Sequence, residues 1–422
     1  MPGNSFPYVI IGGGMTADAA IGGVREVDAD VGHAMARFSG GRFPPYQRPP
    51  LSKGLWLGSE QPETIWRKVS VEELGVSEHL GVRVVAIDPA NHTVTDAEGN
   101  TYQYEKLLLA TGGRAKRLPF GPTGPEGIIY YRTMQDYLNV RLHAARAERI
   151  IMVGGGFIGA EMAAALNMTG RQVTMIFPEE TILERIMPHE LGVYINDYFR
   201  AKGVQVLNGD VPVAFERSAE RQPLIMTTRS GEKMEADQVV AGLGIAPDVE
   251  VAATAGLRVE DGIVVDEYAR SSHHDVYAAG DVARYPAHAL ARSMRVEHED
   301  HANAHGRLAG ANMARARLAG DQQPYDHIPS FYSDMFELSY EGVGIMDGRL
   351  QTFGDWEQEP AAGAQGETPL EQRFRSGVVY YLERQRVVGV LLWRKGRGLR
   401  QARRLIEEGR VIDDPTQLRG VI

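Results

Sequence analysis

Residues 150–166 read IIMVGGGFIGAEMAAAL, and this stretch indicates the fold. Its apolar start has the length of a short β-strand, and the small residues after the glycines can pack a helix closely against a sheet. Gly154, Gly156 and Gly159 form the G-x-G-x-x-G pattern, which lets the backbone approach a pyrophosphate at a helix N-terminus. The stretch therefore predicts a strand, a glycine turn and a helix that together bind a dinucleotide.

An acidic residue follows the next predicted strand, VTMIF. This residue is Glu179, which lies twenty positions after Gly159. A carboxylate there can accept hydrogen bonds from both ribose hydroxyls, and it would repel the 2′-phosphate of NADP. The spacing therefore predicts a preference for NADH over NADPH. The alternative interpretation is a solvated loop residue.

A second glycine turn opens the chain after a predicted strand at residues 8–11. Gly12, Gly14 and Ala17 occupy the three motif positions, and alanine at the third still permits close packing of helix and strand. The second strand of such a unit should end in an acidic residue. Residues 31–43 instead read VGHAMARFSGGRF, with few apolar residues and no carboxylate. We therefore expect this part of the chain to have lost both its apolar strand and its ribose-binding acid.

The composition limits the classes of function. The 422 residues are 43% hydrophobic, which suits two or three globular domains, and the net charge of −10 argues against general binding of nucleic acid or anionic membranes. No apolar run has the length of a membrane span and no leader is evident, so a cytoplasmic location is expected. The sequence contains no cysteine, which excludes disulfide chemistry and thiolate metal or iron–sulfur sites in this sequence.

Four further segments carry specific expectations. Residues 44–56 predict a proline-rich loop, with Ser52 able to cap a helix that follows it, and residues 353–372 predict a flexible polar loop. Residues 295–318 predict a helix on which His298, His301 and His305 share one face. A metal site was the alternative for these histidines, but the spacing is not that of HExxH, and no metal is predicted. Residues 394–404 carry six basic residues, which form either a solvated helix face or a docking surface for an acidic electron carrier.

Several of these segments together resemble one family. The segments PPYQRPPLSK at residues 44–53, ATGG at 110–113 and VYAAGD at 276–281, with the two glycine turns, resemble the FAD-dependent pyridine nucleotide oxidoreductases of the ferredoxin reductase type. The segments VTMIFPEE and RVEHEDHANAHGRLAGANM are most like the branch that contains apoptosis-inducing factor and its prokaryotic relatives. The resemblance covers nearly the whole chain.

The resemblance implies an α/β fold with two Rossmann-like dinucleotide-binding domains, one inserted in the other, and a C-terminal α+β interface domain. Residues 1–119 and 245–321 would bind FAD, residues 120–244 would bind NAD, and residues 322–422 would form the interface domain. Either a monomer or a homodimer is compatible with this organisation.

The resemblance also implies which residues contact the cofactors. The implied FAD contacts are Gly12, Gly14, Ala17, Arg48, Lys53, Val85, Thr111, Gly112, Arg132, Asp281, Glu297, His298 and Tyr332. The implied NAD contacts are Gly154, Gly155, Gly156, Phe157, Ile158, Gly159, Glu179, Gly242, Glu297, His298 and Glu341. Lys53, paired with Glu161 beside the flavin, is the predicted catalytic pair, because an ammonium group there would stabilise negative charge on reduced flavin.

The implied activity is hydride transfer from NADH to flavin N5, followed by electron transfer to an external acceptor. The acceptor would be an acidic iron–sulfur protein of the ferredoxin or rubredoxin type, a quinone or dioxygen. The competing hypothesis is a binding or signalling flavoprotein with weak turnover, like apoptosis-inducing factor. It is motivated by Gly40, which stands where the family has its ribose carboxylate. The loss of one such contact would cost about 1.5 to 3 kcal/mol, or roughly ten- to a hundredfold in affinity.

Overall fold

The computed structural model describes residues 4–29, 31, 35–67, 75–217, 222–357 and 370–422. The strands in these ranges are, in chain order, β1 (Ser5–Ile11), β2 (Met35–Ser39), β3 (Val76–Leu80), β4 (Val84–Asp88), β5 (Thr93–Asp96), β6 (Thr101–Leu109), β7 (Gly113–Ala115), β8 (Ile128–Tyr130), β9 (Arg149–Val153), β10 (Gln172–Phe177), β11 (Gln205–Asn208), β12 (Pro212–Glu216), β13 (Leu224–Thr228), β14 (Lys233–Ala236), β15 (Gln238–Ala241), β16 (Ile245–Pro247), β17 (Val259–Glu260), β18 (Gly262–Val264), β19 (Val276–Ala278), β20 (Ala283–Ala287), β21 (Arg292–Met294), β22 (Ser330–Met335), β23 (Leu338–Gly344), β24 (Gln351–Trp356), β25 (Gly377–Glu383) and β26 (Arg386–Trp393).

The α-helices in the same ranges are α1 (Met15–Val27), α2 (Gly54–Leu57), α3 (Met134–Ala144), α4 (Phe157–Met168), α5 (His189–Ala201), α6 (Glu250–Thr254), α7 (Glu299–Arg317), α8 (Leu370–Arg373) and α9 (Leu399–Glu408). The short 3-10 turns are Pro49–Ser52, Pro62–Thr64, Gly280–Val282, His288–Leu290 and Pro415–Leu418. Within these ranges, no helix combines the length and the apolar character that crossing a membrane requires.

The chain forms two compact units. Unit 1 comprises Met1–Gln47, Pro62–Arg114 and Ala246–Pro329, and unit 2 comprises Arg48–Gln61, Ala115–Ile245 and Ser330–Ile422. Most of unit 2 is therefore inserted, in sequence, between two parts of unit 1. The predicted α/β class with two Rossmann-like sheets and a further antiparallel sheet is confirmed. The finer boundaries at residues 119, 244 and 321 stay a prediction.

The main sheet of unit 1 is built around β1, whose residues from Phe6 onward are buried. Strand β1 lies between β2 and β6 and is parallel to both, and β19 pairs in parallel with β6. The full order is β3-β2-β1-β6-β5-β4, in which β5 is antiparallel to both of its neighbours, β4 and β6. Parallel strands buried on both faces need helices on both sides, which is the doubly wound arrangement.

Helices α1 and α7 pack closely together because glycines remove the side chains between them. A Cβ on Gly23 would lie 2.0 Å from the Arg307 carbonyl oxygen, and a Cβ on Gly310 would lie 2.0 Å from the Ala20 carbonyl oxygen. Both distances are far below normal contact. The small residues of RLAGANM therefore have a structural role in the packing of unit 1.

Unit 2 contains three sheets. The parallel sheet has the order β11-β10-β9-β15-β8, the small antiparallel sheet is β12-β13-β14, and the C-terminal antiparallel sheet is β22-β23-β26-β25-β24. Apolar side chains of the first two sheets share one core, which includes Ile151, Ile176, Phe215 and Val239. The order of the parallel sheet, with β9 central and followed by a glycine turn, is that of a dinucleotide-binding unit.

Three local expectations were wrong. Residues 35–39 do form the second strand, because β2 pairs in parallel with β1 and all five of its residues are buried. The side chain of Ser52 does not cap α2, which follows Lys53. Part of the segment expected to be a loop is strand β24, which ends at Trp356. Residues 358–369 of that segment lie outside the described residues.

Candidate active site

The glycine turn of unit 2 follows β9, and its three motif glycines have different surroundings. Gly154 has φ of +116°, and a Cβ there would lie 2.4 Å from the Gly242 carbonyl oxygen. A Cβ on Gly159 would lie 1.9 Å from the Gly154 carbonyl oxygen. At Gly156, by contrast, no heavy atom of the described residues lies within 4 Å of the Cβ position, apart from the adjacent residues and the backbone of its own helix. The first and third glycines are thus required by the packing of the turn itself, whereas the second leaves open space.

This open space lies at the N-terminus of α4, where an anion is stabilised by the unpaired amide groups of the first turn. Gly156 is the N-cap and has no side chain that could cover those amides. The residues present therefore fit a dinucleotide pyrophosphate. The neighbouring predicted contacts surround the turn: Gly155 faces the Phe177 ring, and Ile158 is 36% exposed. The Phe157 ring packs edge-to-face against Phe331 at 4.9 Å.

Glu179 follows the C-terminal end of β10, as the sequence predicted. Its Oε1 accepts a hydrogen bond of 3.1 Å from the Arg185 guanidinium, and its side chain is 23% exposed while that of Arg185 is 85% exposed. Glu179 is therefore held in place rather than fully solvated. Its contact with a ribose stays a prediction.

Lys53 and Glu161 form an ion pair, as the family resemblance implied. The Glu161 carboxylate on α4 is 5% exposed, and the Lys53 ammonium lies 3.2 Å from its Oε1. Two hydroxyl groups donate to the same carboxylate, from Ser52 at 2.5 Å and from Ser333 at 2.6 Å. Burial raises the pKa of Glu161, and this effect exceeds the opposing influence of Lys53 and the two serines. All four residues belong to unit 2.

The Lys53 ammonium has further neighbours on β22. It donates to the Tyr332 carbonyl oxygen at 3.2 Å and lies 3.8 Å from the centre of the Tyr332 ring. The Asp334 carboxylate lies at 3.8 Å. The ring of Tyr332 is 48% exposed, whereas Ser333, the next residue along the strand, is buried. Strand alternation therefore directs Ser333 to the buried carboxylate and Tyr332 to the open side.

The predicted flavin contacts Arg48 and Arg132 are connected within unit 2. The Arg48 guanidinium donates to the Arg132 carbonyl oxygen at 2.9 Å. Arg132 directly precedes Thr133, the N-cap of α3, where Thr133 and Asp136 form a capping box. Both arginines are thus positioned by local structure that the sequence alone did not reveal. Their contact with a cofactor stays a prediction.

Glu341, a predicted nicotinamide contact on β23, lines a surface groove of about 460 Å³. Arg397 and Arg400 of the basic segment line the same groove. Burial and the nearby Asp334 raise the pKa of Glu341. This combination of an acid with basic side chains was not evident from the sequence, because the residues are more than fifty positions apart.

The glycine turn of unit 1 has the same construction as that of unit 2. Gly12 has φ of +150°, and a Cβ there would lie 2.2 Å from the Ala110 carbonyl oxygen. Gly14 is the N-cap of α1 and has an extended backbone, and Ala17 is fully buried one turn later. An alanine at the third position therefore fits the packing of α1, and the N-terminus of this helix also suits an anion.

Strand β2 is present in unit 1, although the sequence has no carboxylate where the resemblance implies a ribose contact. Strand β2 ends at Ser39, and the exposed Gly40 follows, where the family has a carboxylate. A Cβ on Gly13 would lie 2.1 Å from the Ser39 hydroxyl, so this serine is in contact with the glycine turn. The Cβ position of Gly40 lies 3.8 Å from the Arg83 side chain.

The predicted flavin contacts Thr111, Gly112 and Asp281 of unit 1 lie in loops, and Val85 lies in a β-bulge. Thr111 donates to the Asp248 carbonyl oxygen at 2.7 Å, and Gly112, with φ of +66°, accepts from the Asp248 amide at 2.9 Å. Val85 is the additional residue of a β-bulge in β4 and is 49% exposed. Asp281 lies in the turn Gly280–Val282, and its carbonyl oxygen accepts from Arg295 at 3.0 Å.

Glu297 and His298 precede α7 rather than lying on it. The Glu297 carboxylate pairs with Arg295 at 2.6 Å, and His298 is the N-cap of the helix. His298 therefore does not share a helix face with His301 and His305, which corrects the expectation from the sequence. Burial lowers the pKa of His298 to about 4, despite the carboxylates of Asp281 and Asp300. The imidazole is thus neutral at physiological pH.

His301 and His305 are fully buried in an aromatic cluster with Tyr285 and Tyr325. His301 Nδ1 and the Tyr325 hydroxyl are 2.8 Å apart, and His305 Nδ1 accepts from the Gly280 amide at 3.4 Å. Burial lowers the pKa of His301 well below its usual range and that of His305 to about 3. These two histidines are therefore neutral core residues.

Residues 6–306 match the model of a protein family described as pyridine nucleotide-disulphide oxidoreductase. The chain belongs to this family. Two curated relatives match this chain over more of its length than the family model does. Apoptosis-inducing factor 1, mitochondrial, of Dictyostelium discoideum is 31% identical over 99% of this chain and 81% of the relative. The ferredoxin–NAD(+) reductase component of the anthranilate 1,2-dioxygenase system of Burkholderia cepacia is 32% identical over 98% of this chain and 96% of the relative.

A solved structure agrees with these relatives. A chain of the covalent putidaredoxin reductase–putidaredoxin complex superposes with a TM-score of 0.84 at 25% identity, over 96% of this chain and 94% of that chain. As a member of the pyridine nucleotide-disulphide oxidoreductase family, the protein is an oxidoreductase that uses FAD and NAD(H). The resemblance that the motifs indicated is thereby confirmed. The sequence has no cysteine, so this chain has no residue for the disulfide chemistry after which the family is named.

Proposed function

We propose that this oxidoreductase takes electrons from NADH and passes them, through FAD, to a small acidic ferredoxin-type protein. The observation that carries the proposal is that each unit has its own glycine turn after the central strand of a parallel sheet, so that one chain can hold two dinucleotides. The Burkholderia relative, a ferredoxin–NAD(+) reductase component, and putidaredoxin reductase, which forms a complex with putidaredoxin, support the choice of acceptor. The glycine turn at Gly12 would hold FAD and that at Gly154 would hold NADH.

When bound, FAD supplies the conversion between hydride transfer and one-electron transfer. The chain's own residues would position and stabilise it. The Lys53 ammonium would provide positive charge beside the flavin, and Glu161, fixed by its two serine hydroxyls, would hold the ammonium in place. The Asp281 carboxylate would accept a hydrogen bond from a ribityl hydroxyl. His298, neutral because of its low pKa, would contact the cofactors without adding charge.

We propose NADH rather than NADPH as the donor, because the Glu179 carboxylate would bind the ribose diol and repel a 2′-phosphate. The test is the ratio of kcat/KM for NADH to that for NADPH, with ferricyanide as the acceptor. We expect NADH to be favoured by at least about tenfold, and Glu179→Gln to reduce this ratio. A preference for NADPH in the wild-type protein would contradict the assignment of Glu179.

The basic segment at residues 394–404 is the proposed docking surface for the acidic carrier. Four of its six basic residues are exposed: Arg394, Arg397, Arg400 and Arg404. Helix α9 buries the opposite face through Ala402, Leu405 and Ile406. Because the whole chain carries a net charge of −10, this positive surface is local and can orient an acidic partner.

The docking experiment measures reduction of a small acidic [2Fe–2S] ferredoxin by NADH, catalysed by the purified holoprotein. The double variant Arg394→Glu/Arg404→Glu avoids the groove lined by Glu341 and is expected to raise KM for the ferredoxin by about tenfold or more. Its NADH–ferricyanide rate should stay unchanged. The control variant Arg229→Glu/Arg258→Glu makes the same charge change at two arginines that are more than 60% exposed.

Two outcomes would contradict the proposal. If anaerobic NADH does not bleach the visible flavin absorbance, the chain is not an NADH oxidoreductase, and the alternative of a binding or signalling flavoprotein would be favoured. If flavin is reduced but no ferredoxin is, and quinone or dioxygen is reduced instead, the acceptor is wrong while the oxidoreductase assignment stands. The cytoplasmic location and the oligomeric state stay predictions.

A further inference from the structure

One cluster of histidines in unit 1 takes no part in the proposed electron transfer. His92 lies in the turn between β4 and β5, and His273, His274 and Asp275 directly precede β19. These two places are about 180 residues apart in sequence. The ligand atoms of His273, His274 and Asp275 all lie within 4.8 Å of one another.

The side chains of this cluster converge on one carboxylate oxygen. Asp275 Oδ2 lies 2.7 Å from His274 Nε2 and 3.5 Å from His92 Nε2. The rings of His92 and His273 are 6.1 Å apart, and those of His273 and His274 are 4.9 Å apart. Three imidazoles thus surround a single acid from two separate parts of the chain.

A buried nitrogen of His273 lacks a partner. Its Nδ1 is out of contact with solvent, and no group of the described residues forms a hydrogen bond with it. A buried polar atom without a partner is unfavourable, so such an atom indicates a missing ligand or water.

The carboxylate is fixed from its other side. Asp275 Oδ1 pairs with the Lys106 ammonium, while Oδ2 faces the imidazoles. Asp275 itself is only 5% exposed. An ion pair behind a ligating carboxylate is the arrangement by which neighbouring groups orient metal ligands.

From these observations we propose that His92, His273, His274 and Asp275 bind one divalent transition-metal ion, with Zn²⁺ as the preferred class. Imidazole and carboxylate ligands suit this metal, which takes four ligands in tetrahedral geometry. The bond lengths of about 2.0 to 2.2 Å require ligand atoms roughly 3.3 Å apart, so side-chain rotations must bring the more distant ligand atoms closer together when the ion binds.

The ion would connect the hairpin formed by β4 and β5 to the segment before β19. His92 has a left-handed backbone with φ of +53°, a conformation that is unfavourable for a residue with a side chain and is typical of functional positions. Metal binding at this place is therefore expected to stabilise unit 1. It is independent of NADH oxidation, so its test does not depend on the proposed function.

The experiment is an isothermal titration of the EDTA-treated, dialysed holoprotein with ZnCl₂, together with the visible spectrum after CoCl₂ addition. We expect one equivalent of Zn²⁺ to bind, and the midpoint temperature of thermal unfolding to rise when Zn²⁺ is present. His92→Gln and His274→Gln should each weaken binding by at least about tenfold, because even loss of an outer-shell contact in metal sites costs this much.

The control variant is His189→Gln, which changes a histidine that is 64% exposed and close to a carboxylate in unit 2. It should bind Zn²⁺ as the wild type does. His274 is 77% exposed, so its replacement should leave the fold and flavin content intact, which circular dichroism and absorbance check. The proposal is overturned if the wild type takes up no Zn²⁺ or if the two cluster variants bind it with unchanged affinity and stoichiometry.

Discussion

Replacing the ion pair of Arg37 and Glu78 by methionine and glutamine is expected to stabilise the protein, because Arg37 places a charge in the core of unit 1. Arg37 lies on β2 and is 0% exposed. Its guanidinium forms an ion pair with the Glu78 carboxylate on β3, yet Nε, Nη1 and Nη2 have no hydrogen-bond partner among the described residues. A buried charge with unsatisfied donors is often less stable than an apolar side chain of similar volume.

The size of the effect follows from the pKa of the guanidinium. Burial lowers the pKa of Arg37 to about 10, despite the nearby Asp18 carboxylate. This lowering corresponds to about 3 kcal/mol of unfavourable free energy for the charged form. A lowered pKa in a basic group means that this cost is present at all pH values below the folded-state pKa, and thus at pH 7. Methionine is smaller than arginine, and allowing about 1 kcal/mol for the space it leaves gives a net gain of about 2 kcal/mol.

The assay is urea unfolding at pH 7, followed by circular dichroism and by intrinsic fluorescence so that the two units can be distinguished. Arg37→Met/Glu78→Gln should move the midpoint of the affected transition to higher urea, whereas Arg37→Met alone leaves the Glu78 carboxylate without its partner and should not. Arg37→Lys retains the buried charge and should bring no gain. The surface control Arg229→Met, at a side chain that is 61% exposed, should change the free energy of unfolding by less than about 0.5 kcal/mol.

A clear result would refute this reasoning. If Arg37→Met/Glu78→Gln lowers the free energy of unfolding by about 1 kcal/mol or more, the guanidinium must have hydrogen-bond partners in the folded protein that satisfy its charge. The buried arginine would then be a stabilising part of β2 rather than a cost to it.

Four further predictions concern the sites. Because burial raises the pKa of Glu161, its ionised form is unfavourable in the folded state, and Glu161→Gln should unfold with at least the wild-type free energy at pH 7. The difference should begin to fall as the pH drops below the folded-state pKa and should vanish near the pKa of the unfolded chain, which urea titrations at several pH values check. His305 has a pKa of about 3, so the unfolded chain takes up a proton there before the folded protein does. Between pH 7 and pH 5 this should lower the free energy of unfolding of the wild type by about 2 kcal/mol. His305→Gln should show a correspondingly flatter dependence of the free energy of unfolding on pH. Gly159→Ala would bring its Cβ to 1.9 Å from the Gly154 carbonyl oxygen and should destabilise the fold by about 3 kcal/mol. Gly156→Ala should fold normally yet bind NADH at least about tenfold more weakly in fluorescence titrations, and equal NADH affinity in that variant would show that the pyrophosphate does not approach Gly156.

The parts of the fold that sequence alone indicated are those governed by local rules. Both glycine turns were found because only glycine fits where two backbones come into contact, as the 2.4 Å distance from the Gly154 Cβ position to the Gly242 carbonyl oxygen demonstrates. Strand β2 was missed because its five buried residues include an arginine and a serine, so no apolar pattern marked it. Its pairing with β1 is a tertiary property that overrides the weak local signal.

In the candidate site too, some features follow from sequence motifs and others appear only in the folded structure. The sequence by itself determined the family, the two dinucleotide turns and the pairing of Lys53 with Glu161, because these depend on motifs whose spacing is fixed by backbone geometry or on residues that match a family pattern. Only the tertiary structure revealed that Ser52 and Ser333 hold the Glu161 carboxylate and that His92 approaches Asp275. Such contacts join residues far apart in sequence, and hydrogen bonds and charge pairs depend on distances of about 3 Å that no periodicity in the chain encodes.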